Sequence, residues 1–176
     1  LMAAVLRGLF LWRAPELSDD IYRYLFDGLI LVNGRNPYAL APADAATAMP
    51  ALSALAGRVN HAELPTIYPP AAQFVFAFGA VFGNVGGMKL AMVLVDLAGC
   101  ALILKLLDRL RLPRNNAVIY AWHPLPVMEI AASGHIDAAA VVLTFLALFF
   151  LLAESVPERS SSFDPVKTGK QATVFT

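Results

Sequence analysis

Two stretches limit what this chain can fold into more than any other feature. Residues 88–107, MKLAMVLVDLAGCALILKLL, are apolar enough and long enough to cross a bilayer, and residues 138–153, AAAVVLTFLALFFLLA, carry no charge at all. Two further apolar runs, 71–83 and 116–132, are shorter or interrupted by prolines. A helix over 71–83 rises only about 20 Å against a hydrocarbon core of about 30 Å. With 59% hydrophobic residues among 176 and a mean hydropathy of +0.64, the chain is too apolar for an ordinary soluble domain. The expected fold is all-α and integral to the membrane, a multi-span helical bundle.

The first twelve residues are apolar except for Arg7, too short a run for a full span. They are read as the cut end of a membrane helix, so the chain is expected to be a fragment. The expected organisation is a partial first helix over 1–12, an extracytoplasmic loop over 13–70, helices over 71–153, and a polar, disordered tail over 154–176. Formal net charge is zero and no basic block occurs, which sets nucleic acid aside as a partner. The single cysteine, Cys100, lies inside an apolar run and reads as a small buried hydrophobe.

Positive charge orients the bundle. Lys105, Arg109, Arg111 and Arg114 gather between the second and third apolar segments, and Arg159, Lys167 and Lys170 follow the last. Both clusters are expected on the cytoplasmic side. If 71–83 inserts only partly, everything from Trp12 to Gly87 is extracytoplasmic, and SGHID (133–137) faces the same side as SDDIYRYLFDG (18–28). If 71–83 crosses fully, the two acidic motifs separate. Charge bias favours the first arrangement.

Within the long loop, Asp20, Arg23, Tyr24 and Asp27 share one helical face over 17–32, an interfacial amphipathic helix in expectation. NGRNPY (33–38) is a turn signature, and 41–60 is an Ala-rich helix broken by Pro50. LPTIYPP (64–70) must be extended, and Pro69-Pro70 opens the next helix.

Asp19, Asp20 and Asp27 can accept a proton, hold a divalent metal, or keep a loop solvated. Tyr22, Tyr24 and Tyr38 fit an interfacial belt as well as a sugar platform. His135 and Asp137 sit on a short polar turn about two helical turns after Glu129. Glu129, His123 and Asp96 lie in apolar segments, where an ionisable group faces a cavity or a partner; Lys89 and Lys105 are the nearby cations for Asp96. His61 and Glu63 lack a third ligand and read as loop polarity.

In order, SDDIYRYLFDG, NGRNPYAL, NHAELPTIYPPAAQ, MKLAMVLVDLAG and AWHPLPVMEIAASGHIDAAA resemble the N-terminal part of GT-C membrane glycosyltransferases over residues 10–153. The likeness is to bacterial polyprenol-phosphate-mannose-dependent mannosyltransferases, including glycosyltransferase family 87, with a fainter one to GPI mannosyltransferase 1. The resemblance implies transfer of a sugar from a polyprenyl-phosphate donor to an acceptor glycan or lipid-linked glycan, within membrane lipid, at the extracytoplasmic face of a bacterial cytoplasmic membrane. It places the catalytic carboxylate on Asp19 or Asp20, and lines the same cavity with Asp137, His135 and Tyr68. Arg23 and Arg35 are the outer-loop cations for the donor phosphate, with Asp27 and Tyr24 beside them as substrate-binding residues. DDI in place of the D-x-D of some relatives leaves a divalent metal open, and the family's remaining helices are absent. The alternative is a non-catalytic membrane protein, such as a transporter or assembly subunit, using Asp96 and Glu129.

Overall fold

The computed structural model describes residues 1–155, and among these the chain is all-helical, with no strand. The expectation of a polar tail lies outside the described residues beyond 155. Helix α6, Val85–Arg109, is the backbone of the arrangement. At 25 residues it is about 37 Å long, and it is the one helix among the described residues long and apolar enough to cross a bilayer.

Helix α1, Met2–Leu11, packs antiparallel to α6. Lys89 near the start of α6 donates to the carbonyls of Phe10 and Arg13, at 2.8 and 2.7 Å, so a buried cation caps the negative end of α1. Two turns further along α6, and one turn back along α1, Arg7 and Asp96, both fully buried, form an ion pair. Asp96 takes Arg7 as its partner instead of Lys89 or Lys105, because the two helices run past each other at that level. Helix α9, Asp137–Ser155, runs parallel to α6: Gly99 lies against Val142, and Arg109 Nε donates to the Leu152 carbonyl at 3.1 Å.

The segment between α6 and α9 returns along the bundle in pieces. A 3-10 turn over Arg114–Ala117 leads into α7, Val118–Ala121, then α8, Pro124–Pro126, then a π-helical turn over Val127–Ala132. Pro124 and Pro126 remove two backbone donors, which explains why 116–132 is broken where a continuous apolar helix would have been simpler. The wide turn closes with the Ser133 amide on the Met128 carbonyl at 3.1 Å.

Everything between α1 and α6 folds at the end of the bundle where α6 begins. Helix α2, Asp20–Val32, ends in a Schellman motif: the Gly34 amide bonds Leu31 and the Arg35 amide bonds Ile30, with Gly34 at φ +72°. Helices α3, Pro42–Ala48, and α4, Ser53–Ala56, are parted by a 3-10 turn at Pro50, as the sequence indicates. Helix α5, Pro70–Ala80, starts on its own proline. A tight turn joins it to α6, whose first turn is capped by Asn84 Oδ1 on the Gly87 amide at 2.9 Å.

Helix α2 rests on protein, with its polar face enclosed as well as its apolar one. All of Ile21–Gly28 is buried, including Arg23 and Asp27. Gly28 has no side chain to hold the α5 backbone off, and a Cβ there would overlap the Phe76 carbonyl. The polar face of α2 is therefore covered by α5 and by the extended 64–68 strap, with Phe26, Phe76 and Met88 in the core behind it.

Candidate functional site

An apolar hollow of about 400 Å³ lies between α5, α6 and α9, and of the two acidic motifs only SGHID, through Ile136 and Asp137, lines it. Tyr68 and Asp137 supply its polar groups; Val75, Val95, Ala140 and Leu143 are among its apolar walls. Asp137 is the first residue of α9 and is exposed. It also lines a second hollow of about 370 Å³, on the other side of α9, with Glu129 and Tyr120.

Tyr24 connects the motifs. It stacks on Phe76 with ring centroids 4.5 Å apart, and meets Tyr68 edge-on at 5.1 Å. Burial drives its phenol pKa far above the ordinary value, and hydrogen bonding to Tyr68 and the nearby Asp20 carboxylate push the same way; the Ile136 backbone opposes them. The Tyr68 phenol is likewise raised, chiefly by burial. Asp20, half-buried in the first turn of α2, is close enough for its charge to act on both rings, and Ile136 adjoins Asp137. Asp19, one residue earlier, is exposed, and its carbonyl accepts the Tyr22 amide at 3.0 Å.

Other predicted residues lie elsewhere. Arg23 donates to Asp27 at 3.0 Å and to the Leu64 carbonyl at 2.9 Å, both from inside the α2–α5 interface. Asp27 is 1% exposed, and burial raises its pKa against the opposing pull of Thr66, Arg23 and Gln73. Arg35 is exposed and lines a separate groove with Tyr38. Tyr22 is buried beneath Arg58, whose guanidinium lies 3.8 Å from the ring centroid and also bonds the hydroxyl. His135 Nδ1 is 2.8 Å from Glu129 Oε2, held there by the π-turn. His123 caps α8 through Nδ1, and His61 faces Glu63 at 3.7 Å in the open. Among the described residues no group of three or more His, Cys, Asp or Glu is arranged to hold a metal.

Asp96 is closed off. Besides Arg7 it accepts from Tyr120 at 2.5 Å, and it is 0% exposed. The transport alternative requires Asp96 and Glu129 to face a pathway; among the described residues Asp96 faces none, while Glu129 lines the second hollow. Arg7 and Gln73 are the residues that sequence reasoning passed over. Arg7 had a signal: it is the lone charge of its apolar run, as Asp96 is the lone acid among the apolar residues of 88–107.

The family model described as alpha-(1->6)-mannopyranosyltransferase, N-terminal domain, matches residues 4–167. No curated protein and no solved structure matches the chain.

Proposed function

The chain belongs to the alpha-(1->6)-mannopyranosyltransferase family, and from that membership we propose that it is a GT-C-type enzyme segment that takes mannose from a polyprenyl-phosphate donor. The single observation that carries this reading is the hollow shared by Tyr68 and Asp137, apolar along its length and acidic at α9's first residue. A polyprenyl chain needs an apolar groove, and the sugar it carries needs a carboxylate where that groove ends.

A glycosyl phosphate already has a good leaving group. The acceptor hydroxyl loses its proton to a carboxylate, with Asp20 as that base and Asp137 across the site. The hydroxyl oxygen bonds to the anomeric carbon as the bond to the phosphate oxygen breaks, and the phosphate departs with the electron pair. Oxocarbenium character at the sugar is stabilised by the facing carboxylates.

In this reading α6, the 114–132 return and α9 cross a bacterial cytoplasmic membrane, with α1 lying along α6. The basic cluster around Arg109 and Arg114 is cytoplasmic, and the acidic motifs are extracytoplasmic. Support comes from Lys89 at the end of α1 and from Gly134 against Ile21, which bring both motifs to the opposite end from that cluster.

Mannosyl transfer to a mannose-containing acceptor tests it, with the chain placed in its complete enzyme and supplied with polyprenyl-phosphate mannose. Asp20→Asn and Asp137→Asn each lower kcat by at least about 100-fold while leaving folding intact. Full activity in both would overturn the assignment.

A further inference from the structure

Glu129 and His135 are joined at two points. The Glu129 carbonyl accepts the His135 amide at 3.0 Å, and the carboxylate Oε2 lies 2.8 Å from His135 Nδ1. A carboxylate only accepts, so the proton between them is carried by Nδ1. The amides of Ser133 and Gly134 bond back to the carbonyls of Met128 and Ile130 at 3.1 and 3.0 Å, so three successive amides of the SGHID turn are fastened to the π-helical turn. Asp137 follows two residues after His135 and opens α9. It is the one residue shared by the walls of the donor hollow and the second hollow.

His135 itself reaches neither hollow. It is in the wall of neither, its side chain is 20% exposed, and Nε2 is buried without a hydrogen-bond partner. A ring nitrogen that serves as a base must come within hydrogen-bond reach of the hydroxyl it deprotonates, and a buried Nε2 does not. The polar contact left to the ring is Glu129, through a charge-assisted hydrogen bond, the stronger kind. One residue therefore fixes the chain at 135 through both its main chain and its side chain. Only Ile136, whose carbonyl accepts the Ala139 amide at 2.8 Å, lies between that point and the acid. On the other side Gly134 is set against Ile21, so the turn is held from both directions.

We propose that His135, anchored by Glu129, is a positioning residue for Asp137: it fixes the turn that sets the Asp137 carboxylate where the two hollows meet. The assignment rests on the mannosyltransferase reading. It gives His135 a role through Asp137 in place of direct substrate contact. Glu129 also borders the second hollow, so the decisive variants are at His135.

The test is steady-state mannosyl transfer by the complete enzyme from polyprenyl-phosphate mannose to a mannose-containing acceptor. His135→Ala is expected to lower kcat between about 10- and 100-fold, the scale of a carboxylate displaced by about 1 Å, with donor KM changed by less than about twofold. His135→Asn places an amide N–H where Nδ1–H stands and recovers most of that loss; His135→Gln, whose amide reaches the Nε2 position, does not. In an Asp137→Asn background His135→Ala costs less than about twofold more, because the group it positions is already gone. Recovery by Gln and not by Asn would show that Nε2 acts directly and overturn the proposal. The full loss persisting in the Asp137→Asn background would overturn it too, and so would a rise in donor KM with kcat intact. If His135→Ala does not fold, the Asn and Gln variants decide by the same comparison. Active native enzyme with any of these contrary results removes the positioning role alone; native enzyme that does not use this donor removes the mannosyltransferase reading, and the proposal with it.

Discussion

Gly134 and Ile21 touch, and that contact joins the SGHID turn to the SDDIYRYLFDG helix across more than a hundred residues of chain. Gly134 sits at φ +81°, and a Cβ on it would run into the Ile21 Cδ1 methyl. Any side chain at 134 thus meets two penalties, one from the left-handed backbone and one from overlap. Gly134→Ala is expected to destabilise the fold by about 2–4 kcal/mol. Ile21→Ala in the same background should recover the overlap part alone, a coupling of about 1–2 kcal/mol in a double-mutant cycle measured by denaturant unfolding in detergent. Strict additivity would show that the two motifs do not meet there.

The Arg7–Asp96 pair, with Tyr120 on its far side, is fully buried. Removing one charge leaves the other uncompensated, whereas removing both does not. Asp96→Leu is expected to cost about 3–5 kcal/mol, and the Arg7→Leu/Asp96→Leu double variant to regain most of it. Thermal inactivation of the solubilised chain checks both; an equal loss in single and double variants would mean that the charges do not pair.

Tyr24 and Tyr68 both hold their protons above the ordinary phenol value of 10.0. The unfolded chain ionises these groups near that value while the folded chain resists, so the folded state binds more protons above it. Their contribution to stability is whole below about pH 10 and falls as pH rises beyond it, by up to about 1.4 kcal/mol per pH unit for each phenol. Melting temperatures between pH 8 and 11 should drop steeply above 10 in the native chain, and less steeply in Tyr24→Phe. An identical alkaline limb in both would remove the buried phenol as its cause.

Much of this was legible in advance because it depends on local rules. Proline placed the starts of α3 and α5, the Asn33-Gly34 pair closed α2, and the length of the 88–107 run announced α6. Tyr68 beside Asp137 was implied by the family resemblance alone, and both residues line the hollow between α5, α6 and α9. What could not be read were partnerships across the chain. Asp20, Arg23, Tyr24 and Asp27 share a helical face in the sequence, yet nothing there says that the 64–68 strap will cover it and turn Arg23 and Asp27 into an interior pair. Asp96 pairs with Arg7 rather than with Lys89 or Lys105 through helix direction, a property of the packed bundle. The π-turn that holds His135 on Glu129 likewise depends on where Pro124 and Pro126 let the helix restart.

The central claim is that the hollow between α5, α6 and α9 holds the lipid-linked donor. Photo-crosslinking answers it most directly, using polyprenyl-phosphate mannose with a diazirine on the isoprenoid unit next to the phosphate, followed by peptide mapping. The account predicts labels on residues 69–75 and 136–143, reduced by unlabelled donor in excess. Labels confined to the opposite face of α9, around Leu125 to Ile130, would place the donor in the other hollow and contradict it.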